Sequence, residues 1–189
     1  RALAGFAELV NELGGDADTL LRDVGLTRQM LARPEATINM SGAVALLEHA
    51  ATRLRTPDFG LLLVQRQDYS ALGPIALIAR RADTVGNALI AIAHNLPYHV
   101  ARTSLSMEAG PSEGLLWIRY KTPSEICGAQ RQSVEMCCFL LLQTLRMLNG
   151  YTGADWRVLF AHPPGLPLSR YRELFGCEVA CGQPGHGMV

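Results

Sequence analysis

The chain has 189 residues, enough to bury a substantial core without disulfides or a structural metal. Hydrophobic residues make up 49% and charged residues 18%, which excludes a disordered segment. Lys plus Arg number 17 and so do Asp plus Glu, so the basic excess that neutralises phosphates at a nucleic-acid interface is missing.

The first half reads as helices. Leu3, Phe6, Leu9, Val10 and Leu13 recur at helical spacing, and Gly14-Gly15 stop that helix. Asp16 is placed to cap a second short helix through Leu20, Leu21 and Val24, ending at Gly25. After the break at Pro34, Ser41 opens a helix with Val44, Leu47, Ala51 and Leu54 on one face. Asp58 is the expected cap of Phe59 to Gln67. Leu72-Gly73-Pro74 turns into a helix from Ile75 to Arg81. Asp83 or Thr84 caps Val85 to Asn95, whose apolar face is Val85, Ala88, Leu89, Ile92 and Leu96.

At Pro97 the period changes. His99 to Glu108 alternates, with Ala101, Thr103, Leu105 and Met107 on one face, and a turn from Gly110 to Glu113 leads into a second strand, Leu115 to Lys121. Leu115, Trp117 and Arg119 share one face of that strand and Leu116, Ile118 and Tyr120 the other, so cover is expected on both sides. The longest helix is expected from about Glu125 to Leu148. Its middle, Met136 to Leu142, is apolar nearly all round, as in a central buried helix. Gly150 and Gly153 close it. A strand from Trp156 to Ala161 follows, then a helix from Leu168 to Phe175 with Ser169 as cap and Gly176 as stop, then strand pieces at Glu178 to Ala180 and Gly187 to Val189. Strands and helices do not alternate regularly, so the expected class is α+β: N-terminal helices, a hairpin and short strands packed around a long buried helix. A single domain is expected, with helices to about residue 96 and the mixed part over 97–189.

No apolar run reaches the ~20 residues that span a bilayer, and no secretory signal pattern is visible. The sequence opens at Arg1 rather than Met, so an upstream segment is expected to be missing or disordered. The five cysteines, Cys127, Cys137, Cys138, Cys177 and Cys181, form no C-x-x-C pair and are expected as free thiols in a reducing cytoplasm. Serine elbows and phosphate-cradling glycine loops are missing. His49, His94, His99, His162 and His186 show no metal-ligand spacing, and the carboxylates are scattered. No catalytic set, metal or cofactor is expected, which favours a binding module over an enzyme.

One constellation suits a small ligand: the large apolar Leu105, Met107, Trp117, Met136 and Phe139, with Arg119 as a partner for a carboxylate and Tyr98, His99 and Tyr120 as hydrogen-bonding groups. The alternative reading is that the apolar residues are simply core and that Arg119 reaches solvent.

Three segments carry a resemblance: LLEHAATRLRTPDFGLLL from Leu46 to Leu63, LGPIALIARRADTVGNAL from Leu72 to Leu89, and FAHPPGLPLSRYRELFGCEVACGQPGHGMV from Phe160 to Val189. The last is the most specific, with F-x-H-P at a strand end and then Y-R-x-L-F-G-C-x-V. From about Gly5 to Val189 the chain resembles the N-terminal arabinose-binding-type domain of AraC/XylS-type bacterial transcription regulators. The resemblance implies a domain that senses a small-molecule effector or mediates dimerisation. It also implies a separate helix-turn-helix domain, expected outside this chain, that binds DNA. The partners it implies are an effector, a second copy as homodimer, and DNA only through that other domain; no membrane is expected. A ligand-free dimerisation module stays open as the alternative.

Overall fold

The computed structural model describes residues 3–32, 39–67, 74–99, 103–110, 115–122, 129–149 and 156–189. Their contacts divide into two units, 1–71 with 124–136, and 72–123 with 137–189.

The first unit holds α1 (Phe6–Glu12), α2 (Ala17–Asp23), α3 (Arg28–Ala32), α4 (Met40–Arg53) and α5 (Phe59–Gln65), with the first residues of α8 (Arg131–Asn149). Asp16 caps α2 by accepting from the Asp18 amide at 3.0 Å, and Gly25 beyond its end has φ +72°, where an L side chain is strained. Asn39, just before the expected Ser41, caps α4 by accepting from Gly42. Phe6, Leu9, Val10, Leu20, Leu21, Val44, Leu47 and Phe59 are buried, as their helical spacing demands. The rings of Phe6 and Phe59 meet edge to face at 5.6 Å, tying α1 to α5.

The second unit holds α6 (Pro74–Arg80), α7 (Val85–His99), the rest of α8, α9 (Leu168–Phe175) and a five-stranded sheet. The strands are β1 (Ser104–Ala109), β2 (Leu116–Lys121), β3 (Arg157–Leu159), β4 (Glu178–Ala180) and β5 (His186–Met188), in the order β1-β2-β5-β3-β4. Only β3 and β4 run parallel, and α9 is the crossover that such a pair requires. Gly187 pairs with Arg119 on one side and Leu159 on the other, at φ +147°. A Cβ there would lie 2.0 Å from the Ile118 carbonyl oxygen, so only glycine lets β5 seat against β2. Gly176 ends α9 in the left-handed conformation, and Arg146 donates to its carbonyl at 3.1 Å.

The α+β class is as expected, and four local readings are corrected. First, α7 runs on through Pro97 to His99, so Tyr98 and His99 end a helix and do not begin the hairpin. Proline forbids only one backbone bond back along a helix and is survivable near its end. Second, α8 starts at Arg131, later than Glu125; residues 123–128, including Cys127, and Gly150 and Gly153 lie outside the described residues. Third, Ser169 lies inside α9, whose N-cap position is Pro167. Fourth, Asp58 holds the N-cap position of α5 as expected but makes no side-chain capping bond, and Gln132 accepts from the Gly60 amide instead. The break at Pro34, the turn at Leu72-Gly73 and position 101 also fall outside the described residues.

Candidate functional site

The hairpin register separates the expected ligand residues. Leu105 pairs with Tyr120 and Met107 with Ile118, while Ser106 pairs with Arg119 and Glu108 with Trp117. Directly opposed residues share a face, and the face alternates along each strand. Leu105, Met107, Ile118 and Tyr120 therefore lie on one side of the sheet, and Trp117 and Arg119 on the other.

The first side is core. Leu105, Ile118 and Tyr120 are buried, and Met107 is half-buried. The Tyr120 hydroxyl donates to Cys137 Sγ on α8 at 3.3 Å. Burial pushes both groups above their ordinary values, so both stay protonated and a reactive thiolate is disfavoured. Phe139, also on α8, meets Phe175 of α9 edge to face at 5.6 Å. Cys137 and Phe175 are thus the partners of Tyr120 and Phe139.

The second side carries a polar arrangement on a flat aromatic base. The Arg119 guanidinium carbon lies 4.4 Å from the centre of the Trp117 ring. Nη1 donates to Glu108 at 3.1 Å, and Nη2 to the Pro184 carbonyl at 3.4 Å. Ser106 donates to the same Glu108 at 3.0 Å, and Lys121 Nζ stands 3.9 Å away. The Arg119 bond, then the Ser106 bond, hold the Glu108 carboxyl below its ordinary value. A Cβ on Gly185 would meet Arg119 Nη2 at 2.6 Å, so glycine lets the 182–185 loop close over the guanidinium.

The remaining expected residues are Tyr98, His99 and Met136. Tyr98 is 85% exposed at the end of α7. His99 ends the same helix, and its side chain lies outside the description. Met136 is buried within the first unit, where its Cγ would lie 3.1 Å from a Cβ on Gly60.

The F-x-H-P segment builds a ring cluster. His162 stacks on Phe160 at 4.8 Å, and its carbonyl accepts from the Gly182 amide at 3.1 Å. His186 lies 5.7 Å from the His162 ring and accepts through Nδ1 from the Ala161 amide at 3.2 Å. Burial first, and His162 second, lower its pKa to about 4. Among the described residues, no group of three or more His, Cys, Asp or Glu could hold a metal. Cys137, Cys138, Cys177 and Cys181 take part in no disulfide.

Sequence reading missed a reciprocal cap in the first unit. Gln132, fully buried near the start of α8, accepts through Oε1 from the Gly60 amide at 2.7 Å. Its Nε2 donates to the Pro57 carbonyl at 2.8 Å, and its own amide donates to Glu48 Oε1 at 2.7 Å. Arg131 donates to the same Pro57 carbonyl at 2.7 Å and pairs with the buried Glu135 at 3.2 Å. Gln132 thus satisfies a first-turn donor of α5, while α4 satisfies one for α8. No local sequence signal marks Gln132, since Pro57 and Gly60 lie far back along the chain.

A family model described as the arabinose-binding N-terminal domain of the AraC transcription regulator matches residues 14–189. The helix-turn-helix-type transcriptional regulator VirS of Mycobacterium tuberculosis is 29% identical over 96% of this chain and 53% of its own length. The ornithine utilization regulator of Pseudomonas aeruginosa is 27% identical over 88% of this chain and 52% of its own length. The chain therefore spans about half the length of the curated relatives it matches. It belongs to the family of arabinose-binding N-terminal domains of AraC-type transcription regulators.

Proposed function

We propose that residues 1–189 act as one effector-responsive regulatory domain of a bacterial transcription regulator, working in the cytoplasm and controlling a helix-turn-helix DNA-binding part outside these residues. The observation that carries this reading is the family match over 14–189, with VirS, a relative of about twice the length, named a helix-turn-helix-type transcriptional regulator. The balanced charge supports assigning DNA contact to another part of the regulator. No helix among the described residues is long and apolar enough to cross a membrane.

Within this reading, the Trp117–Arg119 side of the sheet is the effector surface, and Leu105, Met107, Tyr120 and Phe139 belong to the core of the same unit. An acidic effector would exchange with the Glu108 carboxylate on a guanidinium already positioned by its aromatic base. Such a ligand shifts the protein toward whichever arrangement binds it better. The test is a thermal-shift screen with arabinose, ornithine, other amino acids and fatty acids, repeated on Arg119→Ala. A ligand that binds only the folded state raises the melting temperature. The reading expects an acid whose shift disappears in Arg119→Ala; a shift unchanged in that variant sinks the assignment of the surface.

A second reading, a homodimerisation module without effector, is favoured by exposed apolar residues on α6 and α7. Leu77 is 64% exposed and Ile90 56%. Sedimentation of wild type against Ile90→Asp tests it: a dimer that the substitution splits supports this reading, and a wild-type monomer across the concentration range removes it.

A further inference from the structure

The Glu108 carboxylate is held unevenly. Its Oε2 takes the Arg119 Nη1 donor at 3.1 Å, while its Oε1 takes the Ser106 hydroxyl at 3.0 Å and stands 3.9 Å from Lys121 Nζ. The two oxygens therefore answer to different partners. All of these residues, with Trp117 and Pro184, lie in the second unit. Glu108 and Arg119 are within reach of a solute, with side-chain exposures of 38% and 25%.

This division decides what an incoming carboxylate leaves behind. Arg119 can release Glu108 without setting it adrift, because Ser106 and Lys121 still hold Oε1. A guanidinium binds a carboxylate best through two parallel N–H donors. Arg119 spends Nη1 on Glu108 and Nη2 on the Pro184 carbonyl. An effector that takes both donors frees two acceptors, Glu108 Oε2 and the Pro184 oxygen. A simple carboxylic acid offers neither of them a donor. A sugar offers hydroxyl donors but no anion for Arg119. An α-amino acid carries an ammonium group one carbon from its carboxylate, so its donors arrive beside the guanidinium that released the acceptors. A site built this way discriminates against an analogue that leaves its polar groups unpaired.

We propose that Glu108 is a specificity-determining residue: it receives the ammonium group of an α-amino acid whose carboxylate is held by Arg119. In the free protein Glu108 occupies Arg119 itself. In the complex the charges alternate in sign from Lys121 through Glu108, the ammonium and the carboxylate to Arg119. The proposal rests on the Trp117–Arg119 side being the effector surface, and adds the class of effector and the residue that selects it.

The experiment is a thermal-shift screen of the 189-residue chain with each standard L-amino acid and with the same acid lacking its α-amino group. Calorimetric titration then gives Kd for every pair in which either member binds, on wild type, Glu108→Gln and Arg119→Ala. Wild type must bind an amino acid at least about tenfold more tightly than its deaminated counterpart, a modest factor because water reaches the freed acceptors. Glu108→Gln keeps the shape and removes the charge, so it must weaken the amino acid and leave the deaminated acid no weaker. Arg119→Ala must lose both. Equal wild-type affinity for the two members of a pair overturns the role of Glu108 while the surface stands, provided Arg119→Ala still abolishes binding. Equal weakening of both members by Glu108→Gln has the same consequence. If no acid of either set binds, or if binding is indifferent to Arg119→Ala, the effector surface itself is wrong and the proposal goes with it. Should Glu108→Gln not fold, the wild-type ratio alone decides.

Discussion

The guanidinium of Arg119 lies 4.4 Å over the indole ring of Trp117, two residues back on the same strand. In a strand, residues two apart point the same way, so β2 itself delivers the pair. Two further arms, to Glu108 on β1 and to the Pro184 carbonyl in the loop before β5, hold the guanidinium. Arg119, which the sequence offers as a partner for a carboxylate, thus ties strand to loop and already holds one carboxylate, that of Glu108.

Glu108 follows from this arrangement. Its carboxyl is held below its ordinary value of 4.5, first by the Arg119 hydrogen bond. A depressed folded-state pKa adds stability above the unfolded value, and that stability is lost as pH falls through the folded value. In Arg119→Ala, a carbon-detected titration should find Glu108 moved back up toward 4.5. A carboxyl that stays depressed in the variant would assign the effect to Ser106 and Lys121 instead.

His186 gives a second, separable pH effect. Its pKa is lowered from 6.5 to about 4, mainly by burial, so the unfolded chain takes up a proton that the fold refuses. Stability should be full above pH 6.5 and decline as pH falls from there toward 4. Urea melts across that range should show a shallower decline for His186→Gln. The ring should also be the tautomer protonated on Nε2, since Nδ1 accepts from Ala161; nitrogen shifts report this directly.

Phe139 distinguishes a pocket wall from core. It is 6% exposed and edge-on to Phe175. Truncation to Ala should cost about 3–5 kcal/mol in urea unfolding. A cost below about 1 kcal/mol would mean that the ring lines open space rather than filling it.

Gly187→Ala should be among the more damaging single changes. The new Cβ would stand 2.0 Å from the Ile118 oxygen at a φ of +147°. Overpacking of this kind costs about 3 kcal/mol or more, and loss of the β2–β5 amide protections should accompany it.

Much of the fold was legible because local chemistry dictates it. The α4 face from Val44 to Ala51, the Asp16 cap and the Gly176 stop follow from spacing and cap preference, and all are present. Pro97 misleads because proline breaks a helix in its interior but is tolerated near its end, so His99 ends α7 where a hairpin strand is expected. The site was less legible. Alternation already told that Trp117 and Tyr120 point apart, but only the β1–β2 register set Met107 opposite Ile118 and Glu108 opposite Trp117. Gln132 was invisible for a different reason: its partners, Pro57 and Gly60, lie more than seventy positions away, and no local pattern records such a bond.

The position of β5 bears on how the chain acquires its shape. The strand order β1-β2-β5-β3-β4 puts His186–Met188 at the middle of the sheet, between strands that come before it in sequence. Until those residues emerge from the ribosome, the hairpin and the β3–β4 pair are two ribbons with nothing between them, each exposing an unpaired edge. Closure joins Tyr120 to His186 and Val158 to Met188 in one late event. Contacts of such sequence separation are slow to form. The nascent chain is therefore most open to edge-to-edge association just before synthesis passes Met188, and a nonsense codon a few positions earlier would leave it in that state permanently.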